Sequence, residues 1–249
     1  MTARRVLVMG EGEHELGPVP ANADNESWPL DSERLPALPK MVHRLLGQPN
    51  GVRYFARPTG FRRRHIQRNL RSRTPVGLSG YGKRLLWAIR WAASERFDAL
   101  VYVIDRDRKR PAETIQALHV GRGAAERNTP LPCAVGTAVE AFDAWFIADG
   151  SAVKAAGWNH AAVHPQPEKL DGKEGSGQHP KDVAAAIFGG VIGLGEKYAV
   201  VASHIDQARL EIACPKGYAP FADEVRRRIG DSDRRCLAGT FAVERTHGT

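Results

Sequence analysis

Short apolar runs, separated by polar segments, mark the first 150 residues of the chain. The clearest is residues 6–9, four consecutive apolar side chains that end at Gly10. Such a run is typical of a strand buried on both faces of a parallel sheet. Comparable runs recur along the chain, so we expect β-strands over 5–9, 52–56, 99–104 and 132–137.

Helical periodicity appears between and after these runs. Leu85, Leu86 and Ile89 form an apolar stripe with a spacing near 3.6 residues. Pro111 is placed to begin a helix, because proline is favoured at the first helical position. We expect helices over 38–46, 83–96, 111–126, 139–148, 181–188, 194–201, 205–212 and 221–229.

Strands that alternate with helices predict an α/β fold with a central, mostly parallel sheet flanked by helices. The 249 residues, 42% of them hydrophobic, suffice for a packed core. We expect an α/β core over 1–150, with a basic insertion at about 50–80 that is poor in aliphatic residues. Residues 151–249 are expected to form a helical C-terminal extension packed on that core.

The charge of the chain is concentrated in one segment. The formal net charge is +8, yet the stretch from Arg34 to Ser94 holds fourteen Lys and Arg and no Asp or Glu. This basic segment therefore carries +14, and the rest of the chain carries −6. A concentrated basic stretch is the electrostatic footprint of a polyanionic partner, with nucleic acid first and an anionic membrane surface second.

Arginine dominates the basic segment, which favours phosphate contact because the planar guanidinium matches phosphate oxygens. Aromatic residues such as Tyr54 and Phe61 lie among the arginines and could stack on bases. No base-reading motif is visible, so sequence specificity is not predicted. A solvated basic loop without a partner is the alternative interpretation. The expected nucleic-acid-binding residues are Arg57, Arg62, Arg63, Arg64, Arg68, Arg71 and Arg73.

Two acidic groups each follow a predicted strand. The first strand ends in Glu11-Gly12-Glu13-His14-Glu15, and the strand over 99–104 ends in Asp105-Arg106-Asp107. Ligands of open α/β sheets gather at the carboxyl ends of the strands, so both groups are expected to converge on one crevice. Oxygen ligands of this kind suit Mg²⁺, which can activate water for phosphoryl transfer. Solvated strand ends and helix caps are the alternative interpretation of each motif alone.

In this order, Glu11-Gly12-x-x-Glu15 followed by Asp105-x-Asp107 resembles the signature of the Toprim domain, which topoisomerases, primases and overcoming-lysogenization-defect nucleases share. Residues 139–149 and parts of the C-terminal half also resemble an uncharacterised Toprim-like bacterial family that is often encoded beside ATPases. The resemblance spans roughly residues 4–225. Its motifs are short, and their order is the specific part.

The resemblance implies roles for individual residues. Glu11 looks like the Toprim glutamate, a metal ligand or general acid/base, and Lys181 looks like a cation that neutralises phosphate in the transition state. Glu15 would support a second metal or the start of the adjacent helix. The residues implied as ligands of Mg²⁺ or Mn²⁺ are Glu11, Glu15, Asp105, Asp107 and Glu140.

The resulting hypothesis is a metal-dependent nuclease acting on DNA, and the resemblance adds an AAA- or ABC-type ATPase partner and a role in phage defence. Two alternatives stay open. One is a Toprim-like module that binds nucleic acid or an ATPase without catalysis, and the other is a phosphohydrolase of small nucleotides. The oligomeric state is left open.

The sequence also favours a compartment. No apolar run reaches the roughly 18 residues of a spanning helix, and the N-terminus lacks a signal-peptide pattern. Cys133, Cys214 and Cys236 are odd in number and widely spaced, without zinc or disulfide spacing. We therefore expect a cytoplasmic protein without a membrane partner.

Overall fold

The structure is a computed structural model that describes residues 3–18, 20, 27–59, 75, 77–78, 80–106 and 111–230. Its described strands form one five-stranded sheet of order β2-β3-β1-β4-β5. β1 pairs in parallel with both β3 and β4, β4 pairs in parallel with β5, and β2 is a short antiparallel edge strand on β3. The strands are β1 (Arg4–Gly10), β2 (Trp28–Pro29), β3 (Val52–Pro58), β4 (Ala99–Arg106) and β5 (Cys133–Val139).

Helices cover both faces of the sheet, as the alternation of side chains along β1 requires. Val6 and Val8 face a large apolar cluster with α2 and the helices after residue 150, whereas Leu7 and Met9 face α3 and α4. The α/β fold class is thereby confirmed. The helices are α1 (Glu13–Leu16), α2 (Ala37–Leu45), α3 (Gly80–Ser94), α4 (Pro111–Glu126), α5 (Gly150–Ala155), α6 (Pro180–Phe188), α7 (Leu194–His204), α8 (Gln207–Ala213) and α9 (Tyr218–Val225), which continues as one π-helical turn (Arg226–Gly230).

The described helices after residue 150 belong to the core of the molecule. Ile187, Tyr198, Leu210 and Phe221 come from four of these helices, and each is at most 4% exposed within the cluster that contains Val8. The helical C-terminal part therefore packs against the sheet and closes one of its faces. Within the described residues, no helix is long and apolar enough to cross a membrane.

The prediction of a helix over 139–148 is wrong. Val139 is the last residue of β5, and Phe142–Trp145 forms a single 3₁₀ turn. Between them Glu140 has φ +64° and Ala141 is extended, a backbone path that a helix cannot follow. The aromatic side chains of this segment are buried against neighbouring helices, so tertiary packing decides its conformation.

The crossing of α3 and α4 depends on two glycines. A Cβ on Gly121 would lie 2.3 Å from the carbonyl oxygen of Gly82, and one on Gly82 would lie 2.6 Å from that of Ala117. The two helix backbones therefore touch where these glycines meet, and neither position has room for a side chain.

Gly121→Ala is expected to destabilise the protein by about 2 kcal/mol, because the added methyl group must push the two backbones apart. Gly123→Ala is the matched control, since a Cβ on Gly123 meets nothing within 4 Å. There the better helix propensity of alanine should add about 0.5–1 kcal/mol of stability. Urea unfolding of both variants measures the difference, and equal effects would contradict the close helix contact.

Candidate functional site

The sheet topology creates a crevice at the carboxyl ends of β1 and β4. The chain passes from β1 to β3 on one side of the sheet and then returns across β1 to β4 on the other. This reversal is the topological switch point of an open α/β sheet, where ligands bind. The segment after β1 and the end of β4 both reach this crevice.

At the end of β1, the chain folds Glu15 back over the strand. The Gly12 N–H donates to the Glu15 carboxylate (2.8 Å), and Glu15 is only 6% exposed. Gly10 makes room for this turn, since a Cβ there would lie 2.8 Å from the Glu15 Cβ. Burial, with smaller contributions from the charges of Asp143 and Glu11, raises the pKa of Glu15 to about 7.

Asp105, at the end of β4, is partly buried beside the same turn. Its Oδ1 accepts a hydrogen bond from the Phe142 N–H (3.0 Å). Burial, followed by repulsion from Glu15, Glu11 and Asp143, raises the pKa of Asp105 to about 8. The charges of Glu11 and Glu15 therefore act on Asp105. Together with Asp143 these residues are called the carboxylate cluster below.

Asp143 belongs to this cluster, and the sequence analysis assigned it no role. It is 2% exposed, and its Oδ1 accepts a hydrogen bond from the Tyr198 hydroxyl. His14 Nδ1 lies 3.9 Å from the same oxygen, and the His14 ring meets Tyr198 edge-on. The sequence signal that could have identified Asp143 is its position in an aromatic-rich segment directly after a strand.

The structure also gives the surroundings of the remaining predicted site residues. Glu140 directly follows β5, the neighbour of β4, and its positive φ of 64° is a backbone strain of the kind found at functional sites. Glu11, a member of the carboxylate cluster, directly follows β1 and is exposed. The Lys181 ammonium is paired with Glu174 (3.7 Å) rather than with a carboxylate of the cluster. Asp107 lies outside the described residues.

The basic segment has a partly structural role. Arg57, expected to contact nucleic acid, is 5% exposed and lies over the Trp91 ring at 4.1 Å. The Lys40 ammonium donates to the Ala199 carbonyl and the Arg44 guanidinium to that of Ala202, both in α7. These cations stabilise the carboxyl end of a helix dipole. Six of the predicted nucleic-acid-binding residues lie outside the described residues: Arg62, Arg63, Arg64, Arg68, Arg71 and Arg73.

The carboxylate oxygens of the cluster are the type of ligand that Mg²⁺ prefers. Carboxylates from three elements interact in a partly desolvated crevice, where burial first, and then repulsion among the carboxylates, raises the pKa values of Glu15 and Asp105. A divalent cation would offset that repulsion. Among the described residues, however, no three His, Cys, Asp or Glu side chains already share a metal-binding geometry. Metal binding would therefore need the carboxylates to draw together.

The chain matches no protein-family model, and searches of curated proteins and of solved structures also found no match. The resemblance to Toprim-like proteins therefore stays a prediction that the residues of the chain carry alone.

Proposed function

We propose that this protein is a Mg²⁺- or Mn²⁺-dependent nuclease of the Toprim type that hydrolyses phosphodiester bonds, with DNA as the expected substrate. The supporting observation is the position of the carboxylate cluster. Glu15, Asp105 and Asp143 come from three separate elements and interact at the switch point of the sheet. The two motifs of the resemblance, after β1 and at the end of β4, belong to neighbouring parallel strands.

Glu11, Glu15, Asp105 and Asp143 would hold the cation, with Asp107 and Glu140 as further ligands. The bound cation would supply an activated water and stabilise the charge on the leaving oxygen. Glu15 and Asp105 must each lose a proton first, since a carboxylate binds metal in its ionised form. The Phe142 N–H already holds Asp105 in place through Oδ1, so its ionisation needs no new backbone arrangement.

The basic segment would deliver the substrate. An acidic crevice repels a polyanion, and the arginines between the two acidic motifs of the sequence offset that repulsion. We propose that Arg62, Arg63 and Arg64, which lie outside the described residues, contact phosphates. Arg57 instead packs on Trp91 and would support β3. Binding through phosphates would weaken steeply as the salt concentration rises.

An AAA- or ABC-type ATPase partner and a role in phage defence extend this proposal and rest on the resemblance alone. A non-catalytic binding module would hold DNA without a metal requirement. A small-nucleotide phosphohydrolase would turn over free nucleotides without affinity for DNA. The experiment below separates the nuclease from the binding module, and an assay of free-nucleotide turnover would identify the phosphohydrolase.

The wild-type chain should cleave plasmid or single-stranded DNA in the presence of Mg²⁺ or Mn²⁺ and be inert in excess EDTA. Asp105→Ala should lower the rate at least 100-fold, because it removes a carboxylate at the centre of the cluster. Cleavage is followed on gels, and DNA binding is measured in parallel by fluorescence anisotropy. DNA binding with no metal-dependent cleavage, with or without an ATPase partner, would refute the nuclease and favour the binding module.

A further inference from the structure

Helix α7, from the helical part after residue 150, reaches into the carboxylate cluster through one side chain. Tyr198 is fully buried, and its hydroxyl donates to Asp143 Oδ1. Burial, and then the neighbouring Asp143 carboxylate, raises the pKa of Tyr198 well above its ordinary value.

The Tyr198 ring is held in place by packing against two aromatic side chains. It stacks on Phe146 with ring centroids 4.3 Å apart and an interplanar angle of 10°, and Phe188 meets it edge-on at 5.5 Å. Phe146 follows the 3₁₀ turn that holds Asp143, so the ring and the carboxylate are tied to the same turn. A ring packed in this way offers its hydroxyl in a single direction.

The helix that carries Tyr198 is held at both ends. At its start, a Cβ on Gly195 would lie only 2.5 Å from the Glu13 carbonyl oxygen, so α7 touches the backbone of α1. At its end, Lys40 and Arg44 of α2 bind the carbonyl oxygens of Ala199 and Ala202. The position of Tyr198 relative to Glu15 is thus determined from both sides.

We propose that Tyr198 is a positioning residue that orients Asp143 toward the cation of the carboxylate cluster. The inference rests on the proposed function. Tyr198 and His14 both lie against Oδ1 of Asp143, so Oδ2 is the oxygen that would engage a cation. The helices after residue 150 then complete the site as well as the core. Hydrogen-bond partners of this kind typically change metal affinity 10- to 100-fold when they are removed.

Tyr198→Phe tests this directly, because it deletes the hydroxyl and keeps the packed ring. Calorimetric titration with Mn²⁺ should show roughly 10-fold weaker binding than wild type. Adding Tyr198→Phe to Asp143→Asn should weaken binding no further than Asp143→Asn alone, since the hydroxyl acts through that carboxylate. In cleavage assays, raising Mn²⁺ should restore the rate of Tyr198→Phe but not that of Asp105→Ala.

Tyr218→Phe is the matched control. Tyr218 is also fully buried, but its hydroxyl has no hydrogen-bond partner within the described part of the chain. Its loss should leave Mn²⁺ affinity unchanged. Wild-type affinity in Tyr198→Phe, or an equal loss in Tyr218→Phe, would overturn the positioning role. A wild-type chain that binds no Mn²⁺ would instead overturn the proposed metal site, and this inference with it.

Discussion

Asp105→Asn is expected to stabilise the metal-free protein at pH 8 by about 5 kcal/mol, because folding raises the pKa of Asp105 from 3.8 to about 8 and each tenfold change in acidity is worth about 1.4 kcal/mol. The same substitution should remove metal-dependent cleavage. The gain arises because the folded chain holds the Asp105 carboxyl among Glu15, Glu11 and Asp143 in a poorly solvated crevice. Asparagine keeps an oxygen that can accept from the Phe142 N–H, and it carries no charge.

The stability of the wild-type protein is expected to change with pH in one direction. The pKa of Asp105 is raised from 3.8 to about 8 on folding, so between these values the folded chain holds a proton that the unfolded chain has lost. Stability therefore falls as the pH rises through this window. Glu15, raised from 4.5 to about 7, acts in the same direction. The advantage of Asp105→Asn should be absent below about pH 4 and complete above about pH 8.

Urea unfolding at pH 5 and pH 8, with and without Mg²⁺, measures this effect. Mg²⁺ should stabilise the wild type more at pH 8 than at pH 5, because binding requires ionised carboxylates. Asp105→Asn should respond much less to the ion. Asp171→Asn is the control, since Asp171 is an exposed carboxylate on a loop. Equal stabilities of wild type and Asp105→Asn at pH 8 would contradict the coupled cluster.

Much of the fold could be predicted because its strands are encoded locally. The apolar run that ends at Gly10 places Glu11 at the carboxyl end of β1, and the run before Asp105 does the same for β4. The convergence of these residues then follows from the rule for parallel sheets. The α/β fold class leaves the order of the strands open, so the pairing of β1 with β4 is known only from the structure.

Asp143 and Tyr198 could not be found in this way. They are 55 residues apart, and their hydrogen bond depends on how α7 lies over the turn after β5. The prediction of a helix over 139–148 also misses the strand end and the 3₁₀ turn that place Asp143. Packing of Phe142 and Trp145 overrides that local preference, and no periodicity records such packing.

A buried ion network near the start of β5 should matter for stability alone. Glu224 of α9 accepts from Arg122 of α4 and from Arg227 (2.7 Å), and Arg228 Nε lies 3.0 Å away as an ion pair without the angle of a hydrogen bond. The Arg122 and Glu224 side chains are only 8% and 10% exposed. The network lies near Cys133, the first residue of β5, whereas the carboxylate cluster lies at the other end of the strands.

Glu224→Gln is expected to cost about 3 kcal/mol of unfolding free energy, because it leaves the buried Arg122 guanidinium without its buried anionic partner and with only the half-exposed Glu126 nearby. Glu126→Gln is the matched control. Glu126 pairs with Arg122 and Arg228, but its side chain is 43% exposed, so its loss should cost less than about 1 kcal/mol. Salt at 1 M should shrink the effect of Glu126→Gln and leave most of that of Glu224→Gln, since buried pairs are screened less.

Because the network is remote from the carboxylate cluster, the cleavage rate per folded molecule should be unchanged in both variants. A loss of cleavage at temperatures where Glu224→Gln is fully folded would instead place this network in the catalytic apparatus.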